Sequence, residues 1–271
     1  MATQQASTFL QPKLQQAAAA GQLGSLLKSY NASAIEVSKG LGLSIIPLIF
    51  GLVFAAGVVI AINTSTDIGV LLISSVIAFF LLAGGSYVAY GALRDAGQKI
   101  YLFQHGFIVM RWGRVSIYPW TQIQAIRQHI TRHYKKTVLG EKYTGTTYEY
   151  TVQRIDGKTL ELNNYVQNIE ELGEAITLRL SEFLFPTAMA SLKAGETLTF
   201  GLWSINSQGI SNKKGMLPWQ EVHNYQIVGG RIHILRKKGG GYWDSNAVRS
   251  LPNVFVFTAL VDHLLKAQGK A

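Results

Sequence analysis

Clustered cations are the side chains of this sequence whose types and spacing most directly suggest a chemistry, the binding of anions. They form two groups: Arg127, Arg132, Lys135, Lys136 and Lys142, and then Arg236, Lys237 and Lys238. Near an anionic lipid surface, each such cation contributes about 1 kcal/mol of attraction. Two other interpretations stay open. The first group could be a solvated edge hairpin that uses charge to discourage strand pairing, and the second, followed by three glycines, could be a mobile turn.

Catalytic and metal-binding patterns are missing from the sequence. It contains no Gly-x-Ser-x-Gly elbow, no His-Glu-x-x-His, no Walker loop and no Gly-x-Gly-x-x-Gly between a strand and a helix. His129 and His133 are four residues apart, a spacing that would suit two metal ligands on a helix but not on a strand. With no cysteine, disulfides and thiolate metal sites are excluded. We therefore predict no catalytic, cofactor-binding or metal residues, and no enzyme.

The balance of charge also favours anionic partners. The formal net charge is +10, and the part from Arg94 onward holds 22 of the 25 Lys and Arg residues but 13 of the 15 acidic ones. For a domain tethered beside a bilayer, anionic lipid is the nearest such partner, so nucleic acid is not expected.

The elements that position the first cation group are predicted to be two antiparallel strands. Alternating apolar and polar residues indicate strands over 123–133 and 147–154, joined by a glycine-rich tip from Gly140 to Gly145. Alternation places Arg127, His129 and Lys135 on one face of this hairpin. Arg132, Tyr134 and Lys136 fall on the other face. The apolar spacing after residue 168 then predicts an amphipathic helix capped by Asn168.

The same order of landmarks occurs twice. Pro119-Trp120 is echoed by Pro218-Trp219, with both tryptophans expected in the core, and Asn168 is echoed by Asn253 at the start of an apolar helix pattern. Two units of strands, each closed by one helix, are the simplest explanation, with the second unit the shorter one.

Two long uncharged runs precede these units. Residues 43–62 and 69–92 are each long enough to cross roughly 30 Å of hydrocarbon as a helix, so the region 43–93 is predicted to be a transmembrane hairpin. The loop between the runs contains one charged residue, Asp67, and no Lys or Arg. Lysines precede the first run, and Arg94 follows the second. The positive-inside rule therefore places both termini in the cytoplasm. Residues 1–40 are predicted to be a disordered arm with a short helix within Leu10–Leu27.

The strand, glycine turn, Pro-Trp strand and closing helix resemble the bacterial PH-like domains of small membrane proteins, in which a helical hairpin is fused to one or two such modules. The resemblance covers nearly all of residues 43–267 and looks closest to uncharacterised members of that group. It implies an α+β fold of about seven bent antiparallel strands plugged by a C-terminal helix, with modules at 97–184 and 196–267. It also implies lipid, peptide or protein binding without catalysis. The sequence lacks a Lys-x-Arg phosphoinositide motif in the first turn of either unit.

The leading hypothesis is therefore a multi-pass protein of the bacterial inner membrane, whose cytoplasmic tandem modules bind a protein, a peptide or anionic lipid. The short link after Leu93 tethers the first module to the bilayer, which favours a protein or peptide partner because lipid affinity is not needed for recruitment. Two alternatives stay open. One is a structural, homo-oligomeric membrane assembly. The other is an unrecognised enzyme or transporter subunit. The spans argue against transport because they carry no charged residue that could handle an ion.

Overall fold

A computed structural model describes residues 12–64, 67–138, 140–237, 239 and 241–268. The chain divides into two compact units, one of Met1–Ile117 with Asn164–Gln167 and the other of Tyr118–Asn163 with Asn168–Ala271. Each contains antiparallel sheets and helices, so the fold is α+β as predicted.

The first unit is built on a four-stranded antiparallel sheet with two long helices between its first two strands. Its elements in chain order are α1 (Pro12–Ala20), β1 (Leu26–Asn31), α2 (Ala34–Asn63), α3 (Ile68–Ala96), β2 (Gln98–Phe103), β3 (Gly106–Arg111) and β4 (Arg114–Pro119). The strand order in the sheet is β1-β2-β3-β4. The predicted module of residues 97–184 leaves out β1, because that strand precedes the helices in the sequence.

The helical hairpin takes the place of a turn between neighbouring strands. Asn31 at the end of β1 pairs with Lys99 at the start of β2, so the chain leaves the sheet and returns to it at adjacent positions. Both helices are longer than the predicted spans of 43–62 and 69–92. By length and composition, each could cross a membrane.

Two glycines allow α2 and α3 to approach each other closely. A Cβ atom added at Gly51 would lie 2.8 Å from Leu82 Cγ, and one added at Gly85 would lie 2.8 Å from Leu48 Cγ. Both distances are shorter than side chains tolerate, so each glycine receives a leucine of the other helix. Small residues at such positions are typical of helix pairs in membranes.

Part of the predicted disordered arm has regular structure. Within residues 12–40 the chain forms α1, β1 and the first turns of α2. Leu14 and Leu23 are buried and pack against Phe103 and Ile108 of the sheet. The segment is ordered because these two leucines pack against the sheet, although most of its other residues are polar or small. Residues 1–11 of the predicted arm lie outside the described part of the chain.

The second unit contains three sheets and two helices. Its elements are β5 (Ile123–Thr137), β6 (Gly140–Arg154), β7 (Thr159–Asn163), α4 (Ile169–Lys193), β8 (Leu198–Phe200), β9 (Trp203–Ile205), β10 (Gly209–Asn212), β11 (Gly215–Pro218), β12 (Val222–Val228), β13 (Arg231–Arg236), β14 (Tyr242–Ala247) and α5 (Val254–Gln268). The sheet orders are β5-β6-β7, β11-β10-β9-β8 and β12-β13-β14.

The sequence landmarks fall at matching places in the chain order. Trp120 and Trp219 are buried, and each opens a single 3-10 turn that leads into the next strand. Asn168 and Asn253 each precede a helix and have φ of 54° and 52°. Asn168 occupies the N-cap position, but its side chain makes no capping hydrogen bond. The prediction that its side chain caps the helix is therefore wrong, because the left-handed backbone conformation forms this helix start instead.

An aromatic cluster forms the core beneath α5. The Phe257 ring lies 5.4 Å from the Phe200 ring in an edge-on arrangement and 5.4 Å from the Trp203 ring. Trp203 Nε1 donates to Asp244 Oδ2 at 2.8 Å, and Asn212 Nδ2 donates to the same oxygen at 2.6 Å. Burial alone raises the pKa of Asp244, but the hydrogen bonds from Trp203 and Asn212 outweigh it and hold this pKa below its ordinary value.

Because the pKa of Asp244 is lowered in the folded protein, we expect acid to destabilise the strands around it. A carboxyl whose pKa is lowered by folding stabilises the fold above the pKa of the unfolded chain, and that contribution is lost as the pH falls through the folded pKa. We expect Asp244→Asn to flatten the loss of stability below about pH 4. Hydrogen exchange of β9 and β10 as a function of pH measures this. Glu196→Gln, at an exposed position, is the control, and equal flattening in both variants would show that Asp244 is not the source.

Candidate functional site

The first predicted cation group lies on a long two-stranded ribbon. Strands β5 and β6 pair along their whole length, whereas β7 pairs with β6 only from Glu149 to Gln153. Beyond that third strand, eight residue pairs continue to Thr137–Gly140, a reach of roughly 25 Å. The predicted tip, Gly140 to Gly145, is instead part of β6, and Val138 lies at the turn. Pairing extends through these residues because a bulge opposite His133 and Tyr134 absorbs the irregularity.

Most of the ribbon cations are exposed to solvent. Arg132, Lys135, Lys136 and Lys142 are exposed, whereas Arg127 is half-buried and donates to Gln153 Oε1 at 3.0 Å. The register places Lys135 opposite Lys142. Like charges in directly opposed positions destabilise a strand pair, so an anionic partner would relieve a repulsion that the ribbon otherwise carries.

The end of the ribbon is also apolar and aromatic. Tyr134 and Tyr143 lie opposite each other, with ring centroids 5.9 Å apart in an edge-on pair. Val138 at the turn is 105% exposed. Cations, tyrosines and an exposed valine together match the composition of a membrane interface, where aromatic rings sit at the level of the headgroups.

The described members of the second predicted cation group, Arg236 and Lys237, lie at the end of a strand in a different sheet. Arg236 ends β13, and its backbone N–H donates to the Gly241 carbonyl at 3.2 Å. The N–H of Lys237 donates to the Glu221 carbonyl at 2.8 Å. These two backbone donors are therefore used within the protein, and what Arg236 and Lys237 offer to a partner is exposed side-chain charge. Lys238 lies outside the described residues.

A cavity that sequence reasoning missed lies beside the base of the ribbon. Its volume is about 560 Å³, within the range of about 300–1,000 Å³ that is typical of ligand sites. It is lined by Gln128 and Ile130 of β5, Tyr148 and Tyr150 of β6, Glu170, Glu171, Glu174, Ala175, Thr177, Leu178 and Ser181 of α4, and Phe255 of α5. Leu178 is 61% exposed and Phe255 48% exposed. The sequence signal was Ala175, Leu178 and Ser181, a second stripe at helical spacing beside the core stripe of α4.

Glutamates at the rim of this cavity act on two of its tyrosines. Burial, and then the side-chain hydrogen bond with Glu170, raises the pKa of Tyr148. Burial, and then the negative charge of Glu174, raises the pKa of Tyr150 to about 12. The Tyr150 ring rests on the backbone of α4 at Gly173, where any Cβ atom would collide with it. The carboxylates of Glu170 and Glu174 therefore lie close enough to Tyr148 and Tyr150 to raise the pKa values of these phenols.

Metal chemistry finds no support in the described part of the chain. Within it, no three His, Asp or Glu side chains are grouped so that they could hold an ion. His129 Nδ1 lies 3.0 Å from Glu149 Oε2, which is a cross-strand pair of the ribbon. His133 Nε2 lies 2.7 Å from Thr147 Oγ1. Each of these two histidines is thus engaged with a different strand neighbour.

Comparison with known proteins gives a family but no activity. A model of a family of unknown function (DUF6585) matches residues 1–270. No curated protein matches the chain. The use of the ribbon and the cavity must therefore be inferred from their own geometry.

Proposed function

Since the chain belongs to the family of unknown function (DUF6585), we propose its role from its own residues: a non-catalytic, membrane-anchored protein with two PH-like modules, whose basic ribbon contacts anionic lipid. We place it in the bacterial inner membrane, with both termini and the modules in the cytoplasm. The observation that carries the lipid contact is the ribbon itself, with four exposed cations and an exposed valine at its turn.

The exposed apolar surface of α2 and α3 supports the anchor. Large side chains such as Leu43, Phe79 and Phe80 are more than half exposed, and the most apolar windows of the two helices are only 6% and 11% buried. A core helix of a soluble protein would be covered by its own chain. Covering this surface with lipid removes it from water, and the lack of Lys or Arg in the intervening loop supports the proposed orientation.

The chain order supports two PH-like modules. Before α4 come four strands of one sheet and three of another, and before α5 come four and three again. Seven strands followed by one helix is the composition that the PH-like resemblance implies. In the first set the helical hairpin is an insertion between strands one and two, so that module is anchored from within.

The ribbon is suited to lipid by its charge and its tip. Four cations at about 1 kcal/mol each would attract an anionic surface with about 4 kcal/mol, and salt would screen much of that attraction. The attraction orients a module that is already tethered, so a modest energy is sufficient. Val138 would enter the interface, while Tyr134 and Tyr143 lie among the headgroups.

A single-cysteine label tests the lipid contact. Because the chain has no cysteine, Val138→Cys carries an environment-sensitive fluorophore at one position only. In nanodiscs that contain anionic lipid we expect a blue-shifted emission and quenching by lipid-borne nitroxides, because the attraction brings the tip into the interface. In phosphatidylcholine nanodiscs or at high salt, both signals should be lost.

The second strand set provides the matched control for this label. Val228 is also an exposed valine beside a hairpin turn, the turn that joins β12 to β13, and neither of these strands contains a lysine. Its label should respond equally in neutral and anionic nanodiscs. Triple reversal of Lys135, Lys136 and Lys142 to Glu should abolish the response at position 138. A response at position 138 that depends neither on lipid charge nor on these reversals would contradict the proposal.

A further inference from the structure

We propose that the cavity between the base of the ribbon and α4 binds a short extended peptide segment in which an apolar side chain is flanked by Lys or Arg. This site goes beyond the lipid contact of the ribbon tip and does not depend on it. It assigns a partner of defined chemistry to the second unit.

The walls of the cavity select an apolar side chain. Ile130, Leu178 and Phe255 are each at least 43% exposed around it, and Tyr148 and Tyr150 also line it. Burying an exposed leucine or phenylalanine side chain is worth about 1.5–3 kcal/mol. A partner that inserts one such residue would cover its own side chain and part of these walls.

The rim of the cavity selects positive charge beside that side chain. Glu170, Glu171 and Glu174 all line it, and no Lys or Arg does, although the whole chain carries a net charge of +10. The helix dipole accounts for acidic residues in the first turn of α4, but Glu174 lies beyond that turn. Its carboxylate is close enough to Tyr150 to raise the pKa of that phenol. A cationic residue of a partner would therefore meet carboxylates that already lie near the tyrosines of the cavity.

The outer edge of β5, with which no strand among the described residues pairs, favours an extended partner. The sheet ends at β5, and its first part is covered by Asn253, whose N–H donates to the Ile126 carbonyl at 2.8 Å and whose Oδ1 accepts from the Ile126 N–H at 2.9 Å. Outward-facing backbone groups recur every second residue in an antiparallel strand, and the register is regular from Ala125 to His133. Gln128 and Ile130 therefore also direct their N–H and C=O groups outward.

The edge and the cavity coincide at the same two residues. The side chains of Gln128 and Ile130 line the cavity, while their backbone groups could pair with an added strand. Asn253 closes the edge on one side, and the exposed ribbon cations, which repel Lys and Arg, begin at Arg132 on the other. The site is therefore suited to a short segment that pairs with Gln128–Ile130 and inserts one apolar residue.

Fluorescent heptapeptides with a Val-Leu-Val centre test this site on the full chain in phosphatidylcholine nanodiscs, which do not attract cations. Two lysines, two serines or two glutamates flank the centre at each end. We expect saturable binding of the lysine peptide, with weaker binding of the serine peptide and the weakest binding of the glutamate peptide. Combining Glu170→Gln with Glu174→Gln should weaken lysine-peptide binding roughly three- to tenfold and reduce its salt dependence.

Two further variants complete the experiment. Ala175→Trp should block all three peptides because the indole occupies the apolar part of the cavity beside Leu178, and hydrogen exchange of α4 checks that the helix remains folded. Glu182→Gln, on the same helix but outside the lining, should leave binding unchanged. Absence of saturable lysine-peptide binding would overturn the proposal. So would equal binding of the three peptides, which would indicate a site for any apolar chain, including a lipid tail.

Discussion

Phe257→Ala is expected to lower the free energy of unfolding of the strand set beneath α5 by about 3–5 kcal/mol. Phe257 is fully buried and contacts the rings of Phe200 and Trp203. Removing it creates a cavity that those rigid rings cannot close by relaxation. Since a typical domain is stable by only about 5–15 kcal/mol, this variant should be close to unfolding locally at ambient temperature.

The neighbouring Phe255 gives a matched comparison on the same helix. It is 48% exposed and lines the peptide cavity rather than the core, so Phe255→Ala should cost about 1 kcal/mol or less. Hydrogen exchange of the β9, β10 and β13 amides reports both values locally, which avoids the assumption that the whole chain unfolds in one step. Equal losses in the two variants would show that α5 is not seated as described.

Replacing residues 34–96 with an Asn-Gly turn is expected to move nearly all of the protein from the membrane fraction to the soluble fraction. Asn31 and Lys99 are paired neighbours in the sheet, so a short loop can join β1 to β2 without stretching either strand. The deletion removes α2, where residues 43–62 alone contain 13 Leu, Ile, Phe or Val residues. Together these contribute roughly 4–8 kcal/mol to membrane insertion.

Carbonate and high-salt washes distinguish the anchor from the ribbon. The full chain should resist both washes, whereas any residual binding of the shortened chain through the basic ribbon should be released by salt. Far-UV circular dichroism should show loss of helix with the sheets retained. A full chain that is released by carbonate would contradict the membrane anchor. A shortened chain that still resists both washes would place the anchor elsewhere.

Several features of the fold were accessible from the sequence because they depend on neighbouring residues. Continuous apolarity predicted α2 and α3, and alternation predicted the β5–β6 hairpin with its cations. Pro119-Trp120 and Pro218-Trp219 marked the same turn twice. The predicted boundaries of the helices, strands and turns were less accurate. The hairpin turn was predicted too close to its glycines, because the pairing that carries the strands past Gly140 and Gly145 is a cross-strand property.

The candidate sites divide in the same way. The ribbon cations were predicted as one group, and all five lie on β5 and β6, although Arg127 is tied to Gln153. Arg236 lies in a different sheet from the ribbon, and the backbone N–H groups of Arg236 and Lys237 bond within the protein. The cavity was missed. Its lining comes from β5, β6, α4 and α5, and no local pattern reveals that Phe255 lies beside Leu178.

By itself, the sequence determined the two apolar helices, the absence of Lys and Arg from the loop between them, the cationic hairpin and the alternating strands that precede each of the two later helices. Each of these follows from residue types within one turn or one strand of each other, where propensity and periodicity act directly. Only the tertiary structure decided that β1 completes the first sheet across an inserted helical hairpin, and that acidic and apolar side chains from four elements enclose a cavity. Such arrangements depend on contacts between residues far apart in the chain, which local patterns do not encode.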